Sequence, residues 1–513
     1  MIHQYPFQDH YIVLDTYSGA IHVLDSLSAR AVDLLSADDT LRQNPDQWAG
    51  LTEKLLHEAG DPELTAETVR EALDDVRQLV EEGTLFSEDS YAGLALDLRH
   101  RPTQVKALCL NVAHTCNLDC DYCFASQGKY HGERALMSFD VAKQAVDFLI
   151  AQSGVHRNLD IDFFGGEPLM NWDVVKQTVA YARSLEDEHG KKFRFTFTTN
   201  GMLLDEAVGT YLNENMDNVV LSLDGRREIH DALRHTVNGK GSYDHIVPRF
   251  LDFVQTRGDK EYYIRGTYTK RNVDFTEDVL HMANLGFHRL SMEPVIGSEE
   301  EPYALRAGDL PELKRQYRLL ADEMIRREAL AERAVENGQS VDALPLEDQP
   351  FVFYHFMLNL EGGPCIHKRI SGCGSGTEYL AVTPWGDLYP CHQFVGDDEY
   401  AIGNVWDGIQ APELVGDFKE CNCYSRPECR DCWAKLYCSG GCSANALHAT
   451  GSLLGTVPFS CELFRTRIEC AISVQAARLL RSASASERDT AVSKRDTAAP
   501  GRSAEAPDED RAS

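Results

Sequence analysis

The chain has no run approaching the ~18 consecutive apolar residues that span a bilayer. Its start, Met1-Ile-His-Gln-Tyr-Pro6, lacks the basic stretch and apolar run of a secretory signal. Both absences point to a cytosolic protein with no membrane partner. Basic residues are in short supply: 50 Lys and Arg stand against 81 Asp and Glu, a formal net charge of −31. That excess argues against a general nucleic-acid binder, which carries a basic patch. Cysteine is missing altogether between residues 124 and 364, and the fifteen cysteines fall in two fields, Cys109–Cys123 and Cys365–Cys470. In a cytosolic chain such clustering suits metal ligation better than a disulfide framework.

At 513 residues the chain has room for several domains, each of roughly 100–200 residues. Residues 1–90 read as a small unit. Tyr11-Ile-Val-Leu-Asp15 and Ala20-Ile-His-Val-Leu-Asp25 form a hairpin around a turn-rich link. The pattern from Thr65 to Val80 predicts an amphipathic helix capped by Thr65. Hairpin and helices together suggest a winged helix-turn-helix. Residues 100–310 alternate strand and helix patterns, with strands expected at Val105–Val112, Leu159–Phe163, Phe193–Phe197, Val219–Leu223, Tyr262–Thr267 and Leu290–Pro294. Such repetition implies parallel strands joined by helices, an α/β fold built as a partial (β/α)6 barrel. Residues 311–360 read as a helical linker, 361–475 as a cysteine-rich domain, and 482–513 as a disordered tail rich in Ser, Ala, Asp and Arg.

The first cysteine field holds Cys116-Asn-Leu-Asp-Cys120-Asp-Tyr-Cys123, a C-x3-C-x2-C spacing. Full ligation of a [4Fe–4S] cluster takes four cysteines, so three leave one iron open for chemistry. A zinc loop is the competing reading, but structural zinc takes four ligands. The other suggestive residues follow strands, where barrel folds place their sites. They are Gly165-Gly166-Glu167-Pro168, Thr198-Thr-Asn200-Gly201 and Ser222-Leu-Asp224-Gly225. Glycines at 165 and 166 let a backbone approach a ligand. Ordinary turn chemistry also explains the Asn-Gly and Asp-Gly pairs. Arg265 interrupts an apolar strand pattern; it suits bidentate capture of a carboxylate or a solvated strand face.

These motifs resemble the radical S-adenosylmethionine (SAM) enzymes. The resemblance implies that Cys116, Cys120 and Cys123 hold the cluster whose open iron binds SAM. Gly165, Gly166, Glu167, Asn200, Ser222, Asp224 and Arg265 would then contact SAM, with Glu167 accepting from its amino group and Arg265 taking its carboxylate. The second field, Cys373-x12-Gly386-x4-Cys391, then Cys429-x2-Cys432-x5-Cys438-x3-Cys442, then Cys461, is similar to the SPASM extension of radical SAM maturases. That likeness implies two auxiliary [4Fe–4S] clusters, three clusters in all. Cys429, Cys432, Cys438 and Cys461 would hold the outer one, and Cys373, Cys391 and Cys442 the inner one. Cys365 is a further candidate for the inner cluster, though it lies farther from Cys373 than the family's pattern has it. C-x2-C pairs also suit a zinc ribbon.

A narrower resemblance rests on Tyr11–Val23, Phe124-Ala-Ser-Gln-Gly128, Asp162–Met170, Asn213–Val220, Gly372–Tyr379 and Pro384–Gln393. These segments look like the maturase of SCIFF peptides, which are short, cysteine-rich and ribosomally made. The resemblance implies an oxidoreductase that joins a peptide cysteine sulfur to a threonine α-carbon in a thioether. A reducing electron donor would feed it, and the N-terminal domain would bind the leader of the precursor peptide by strand addition. Two other readings stand beside it: another SPASM maturase, such as an anaerobic sulfatase maturase making formylglycine, and a zinc-rich winged-helix binding protein.

Overall fold

The computed structural model describes residues 1–59, 63–298, 300–358 and 365–496. The chain opens with an antiparallel sheet in the order β1 (Ile2–Phe7), β2 (His10–Asp15), β3 (Ile21–Leu24). The expected hairpin is β2–β3; β1 is an addition. Its Pro6 has no N–H to donate and sits, as such residues do, on an edge strand. Asp15 holds the hairpin turn by accepting from the Tyr17 N–H at 3.0 Å and the Ser87 N–H at 2.7 Å. Helices follow the sheet, chief among them α1 (Ser26–Ala37) and α2 (Ala66–Glu81). The Thr65 hydroxyl caps α2 by accepting from Thr68 N, as its position predicts.

The barrel strands are β4 (Ala107–Ala113), β5 (Asn158–Gly165), β6 (Lys192–Thr199), β7 (Asn218–Ser222), β8 (Glu261–Tyr268) and β9 (Arg289–Pro294). All six pair in parallel, each with the next in sequence. Between them run helices such as α3 (Phe139–Gln152), capped by Ser138, and α4 (Trp172–Ser184). On β5 and β6 Phe163, Phe193, Phe195 and Phe197 are fully buried, with the Phe163 and Phe195 rings 5.8 Å apart. Strand alternation points these rings towards the covering helices and leaves the intervening polar residues to the other face.

The sheet does not end with the barrel. Beyond β9 lies β10 (Val352–Phe353). Beyond β4 lie β11 (Tyr379–Val382), β12 (Asp387–Tyr389), β13 (Gly403–Asn404) and β14 (Gly408–Ile409), making eleven strands. β11 pairs in parallel with β4, so the cysteine-rich region is an extension of the barrel sheet. The segment expected as a linker is also built in. Helix α5 (Leu310–Glu336) buries Leu313, Tyr317, Leu320 and Met324 in the barrel core, where Phe351, Phe353 and Phe356 join it.

The last helix, α6 (Pro458–Asp496), continues through residues 482–496, where a disordered tail was expected. No Gly or Pro interrupts the chain between Phe459 and Pro500, and Ala and Arg favour helix. The remainder of that tail lies outside the described residues. Helix α6 also closes the front of the molecule. Val13 of β2 packs against Val32, Leu35 and Trp48 on one face of the first sheet. Ile12 and Leu14 face the opposite way, onto Ile468, Ile472 and Ala476 of α6. Among the described residues no helix is long and apolar enough to cross a membrane.

Candidate active site

The first cysteine loop leaves β4 at the end of the barrel where the other suggestive turns gather. Gly165 and Gly166 are needed here, though their close neighbour is the chain itself. A Cβ on Gly165, whose φ is +128°, would lie 2.5 Å from the Ala113 carbonyl oxygen. A Cβ on Gly166 would lie 2.2 Å from that of Thr115. The two glycines let β5 press against the backbone that enters the cysteine loop. Hydrogen bonds from Gly166 N to Ala113 O (2.8 Å) and from Glu167 N to Thr115 O (3.0 Å) fasten it.

The Glu167 side chain is fully buried. It accepts from Leu169 N at 3.0 Å, the Thr199 hydroxyl at 2.9 Å and Asn200 N at 2.8 Å. Burial pushes its carboxyl up to about 7, against the pull of those three donors. Asn200 also serves the loop: its amide donates to Asn117 Oδ1 at 2.8 Å and approaches Cys116 Sγ at 3.6 Å. Leu118 N lies 3.4 Å from the same sulfur. Hydrogen bonds to cluster sulfurs tune the potential of an iron–sulfur centre.

Asp224 is committed to the protein. It accepts from Tyr122 Oη at 2.6 Å, Arg234 Nε at 3.0 Å and Thr267 N at 2.9 Å. Asp224 and Asn200, both expected to contact SAM, hydrogen-bond to the cysteine loop through Tyr122 and Asn117. Ser222 ends β7 beside Arg265, its register partner on β8. Arg265 is exposed, on the face of β8 opposite the buried Ile264 and Tyr268. Its charge acts on Glu293 and on the half-buried His392. Glu293 at the end of β9 pairs with His355 at 3.0 Å and with Arg467 of α6 at 3.4 Å. Neither Glu293 nor Arg467 belongs to a motif, and spacing carries no signal for them.

The sulfurs fall into three groups. Cys116, Cys120 and Cys123 act electrostatically on one another. So do Cys429, Cys432, Cys438 and Cys461, and so do Cys373, Cys391 and Cys442. Cys423 is buried beside Cys429 and Cys438. Cys365 is exposed, at the start of a short helix, Ile366–Ser371. Among the described residues no three His, Cys, Asp or Glu side chains converge closely enough to hold a single metal ion. Burial pushes Cys116, Cys391 and Cys438 up to about 12. Such thiols keep their protons unless a bound metal deprotonates them. Gln393 donates towards Cys442 Sγ at 3.8 Å. His392, next to Cys391, packs on Phe124 of the first loop (5.5 Å) and Phe164 of β5 (5.0 Å). The inner cysteines are thereby joined to the barrel mouth.

Residues 110–252 match the model of the Radical SAM superfamily. The chain is similar to an uncharacterized protein of Archaeoglobus fulgidus, 27% identical over 393 residues, 75% of this chain and 85% of that one. It is also similar to the cysteine-type anaerobic sulfatase-maturating enzyme of Clostridium novyi, 24% identical over 349 residues, 64% of this chain and 85% of that one. Among solved structures its fold resembles native anSMEcpe with bound AdoMet and Kp18Cys peptide, with a TM-score of 0.57, 20% identity, and coverage of 72% of this chain and 99% of that one. The chain thus joins a segment that matches the Radical SAM superfamily to a small N-terminal β domain and a cysteine-rich C-terminal extension; a member of that superfamily would use a [4Fe–4S] cluster and SAM.

Proposed function

We propose that this enzyme matures a ribosomally made, cysteine-rich peptide of the SCIFF kind, joining cysteine sulfur to threonine α-carbon. The observation that carries the reading is the inner sulfur group. Cys373, Cys391 and Cys442 form a set of three, Cys365 stands exposed, and His392 ties the set to the barrel mouth. A three-cysteine set leaves a fourth position for a substrate thiolate. The linkage removes two hydrogens from the peptide: an atom from the α-carbon, and a proton from the thiol together with one electron.

A [4Fe–4S] cluster with SAM would supply the radical chemistry that removes the first hydrogen, and auxiliary clusters would take up the electron. The chain's own residues bind and orient. Cys116, Cys120 and Cys123 would hold the first cluster, and Cys429, Cys432, Cys438 and Cys461 the outer auxiliary one. Gly165, Gly166, Glu167, Asn200, Ser222 and Asp224 would contact SAM at the strand ends, and Arg265 would take a carboxylate. β3, hydrogen-bonded only to β2 in its sheet, offers an edge on which a leader peptide adds as a fourth strand.

Formylglycine formation is the second reading. It is favoured by the similarity to a sulfatase-maturating enzyme and to a fold solved with a cysteine peptide. One experiment separates the two. Anaerobically reconstituted enzyme, SAM, a reductant and a candidate cysteine-rich precursor should yield 5′-deoxyadenosine and a peptide lighter by two hydrogens per link. Exchange of sulfur for oxygen in the peptide would select formylglycine. Deoxyadenosine with an unchanged peptide would remove the crosslinking assignment.

A further inference from the structure

The cysteine loop is clasped from outside the known motifs. Residues 233–236, just after the short helix Arg227–Leu233, lie along it. Asp121 N donates to Leu233 O at 3.0 Å and Asp119 N to His235 O at 2.8 Å, while Leu118 bridges to Thr236. Side chains repeat the clasp: His235 pairs with Asp121 at 2.9 Å, and Arg271 reaches the same carboxylate at 3.5 Å.

At the centre is Arg234. Its guanidinium lies 5.4 Å from the centroid of the Tyr122 ring, over its face, and donates from Nε to the buried Asp224 at 3.0 Å. Tyr122 donates its hydroxyl to the same Asp224 oxygen at 2.6 Å. A stacked cation gains from the ring face, and a paired buried carboxylate escapes the cost of lone burial. The Arg234 backbone is fixed as well. Its carbonyl accepts from the Ser242 hydroxyl at 2.6 Å, and that hydroxyl also meets His230 Nε2 at 2.9 Å. The Arg234 charge is among those acting on Cys120.

We propose that Arg234 is a positioning residue for the cysteine loop: anchored by Asp224, it holds Tyr122 between Cys120 and Cys123 and sets a half-buried positive charge against the loop. The proposal rests on the reading that these cysteines hold the first cluster. A positive charge beside a cluster stabilises its reduced state, because reduction adds negative charge. Its removal should make the cluster harder to reduce.

The test uses the full chain, reconstituted anaerobically, as wild type, Arg234→Met, Arg234→Lys and Tyr122→Phe. A redox titration followed by electron paramagnetic resonance tracks the signal that changes on adding SAM, so the first cluster is read apart from the others. Arg234→Met should move that signal to a lower midpoint potential and leave the auxiliary signals in place. Its rate of 5′-deoxyadenosine formation should fall tenfold or more. Arg234→Lys keeps the charge without the planar fork and should restore most of the potential. Tyr122→Phe should change the line shape and leave the potential near wild type. A wild-type potential in Arg234→Met would overturn the proposal. So would loss of all three clusters in both Arg234 variants, which would mark general support of the fold. A wild-type chain with no SAM-sensitive signal would overturn the cluster assignment, and the proposal with it.

Discussion

Replacing Gly166 by alanine should disable the site from beneath. The new Cβ would sit 2.2 Å from the Thr115 carbonyl oxygen and 2.6 Å from its carbon. That is more than about 1 Å short of ordinary contact, and the obstacle is backbone rather than a movable side chain. The strand end and the cysteine loop must therefore part by about 1 Å, and the bond from Glu167 N to Thr115 O stretches with them. Overpacking costs about 1–3 kcal/mol, and the weakened hydrogen bond about 1 kcal/mol more. A total near 2–4 kcal/mol should lower Tm by about 4–10 °C. Cys116 lies within the displaced segment, and a 1 Å misplacement costs on the order of 100-fold in rate. The assay is 5′-deoxyadenosine formation beside a thermal melt. Gly416→Ala, in a helix where a new Cβ meets nothing within 4 Å, is the control and should be neutral or gain up to ~1 kcal/mol. Wild-type Tm and turnover in Gly166→Ala would refute the reasoning.

Other outcomes follow from the same geometry. Cys373→Ala should lose the iron of one cluster on reconstitution, and Cys365→Ala should lose none, as read by iron and sulfide analysis. Burial works against the Glu293 carboxylate, but His355, Arg467 and Arg265 outweigh it and hold it at about 2. Its folded value lies below the unfolded one of about 4.3, so its contribution is present above that pH and lost as pH falls towards 2. Melts at falling pH should therefore drop more steeply for wild type than for Glu293→Gln, which should be less stable at neutral pH. Arg257 is buried and donates to the carbonyls of Leu212, Met216, Asp217 and Glu261. Arg257→Met leaves them without that donor and should cost about 3 kcal/mol or more in denaturant unfolding.

The barrel was legible because its signals are local. The alternation Phe193, Phe195, Phe197 marks β6, and a Ser138 cap marks α3, within a residue or two of their observed bounds. β1 escaped because Ile-His-Gln-Tyr-Pro-Phe has weak alternation and a proline. β11–β14 escaped because they are only two to four residues long and are defined by their pairing, β11 with the distant β4 and the others with one another. In the site, the turns are legible in sequence and their hydrogen-bond partners are not. Asn200 and Asp224 are at strand ends as expected, yet their hydrogen bonds go to Asn117, Tyr122 and Arg234. Sequence spacing finds a turn, and only the folded chain shows what the turn holds. Arg234, Glu293 and Arg467 matter through contacts across more than 100 residues or between separate elements, so no motif flags them.

The proposed chemistry begins at the loop of Cys116, Cys120 and Cys123, which would carry a SAM-cleaving iron–sulfur cluster. The direct measurement compares wild type with the triple variant Cys116→Ala, Cys120→Ala, Cys123→Ala, both reconstituted anaerobically and given SAM and a strong reductant. Wild type should give 5′-deoxyadenosine and the triple variant none, with a difference in iron of one cluster. Zinc in place of iron in the wild type, or equal deoxyadenosine from both, would contradict this assignment.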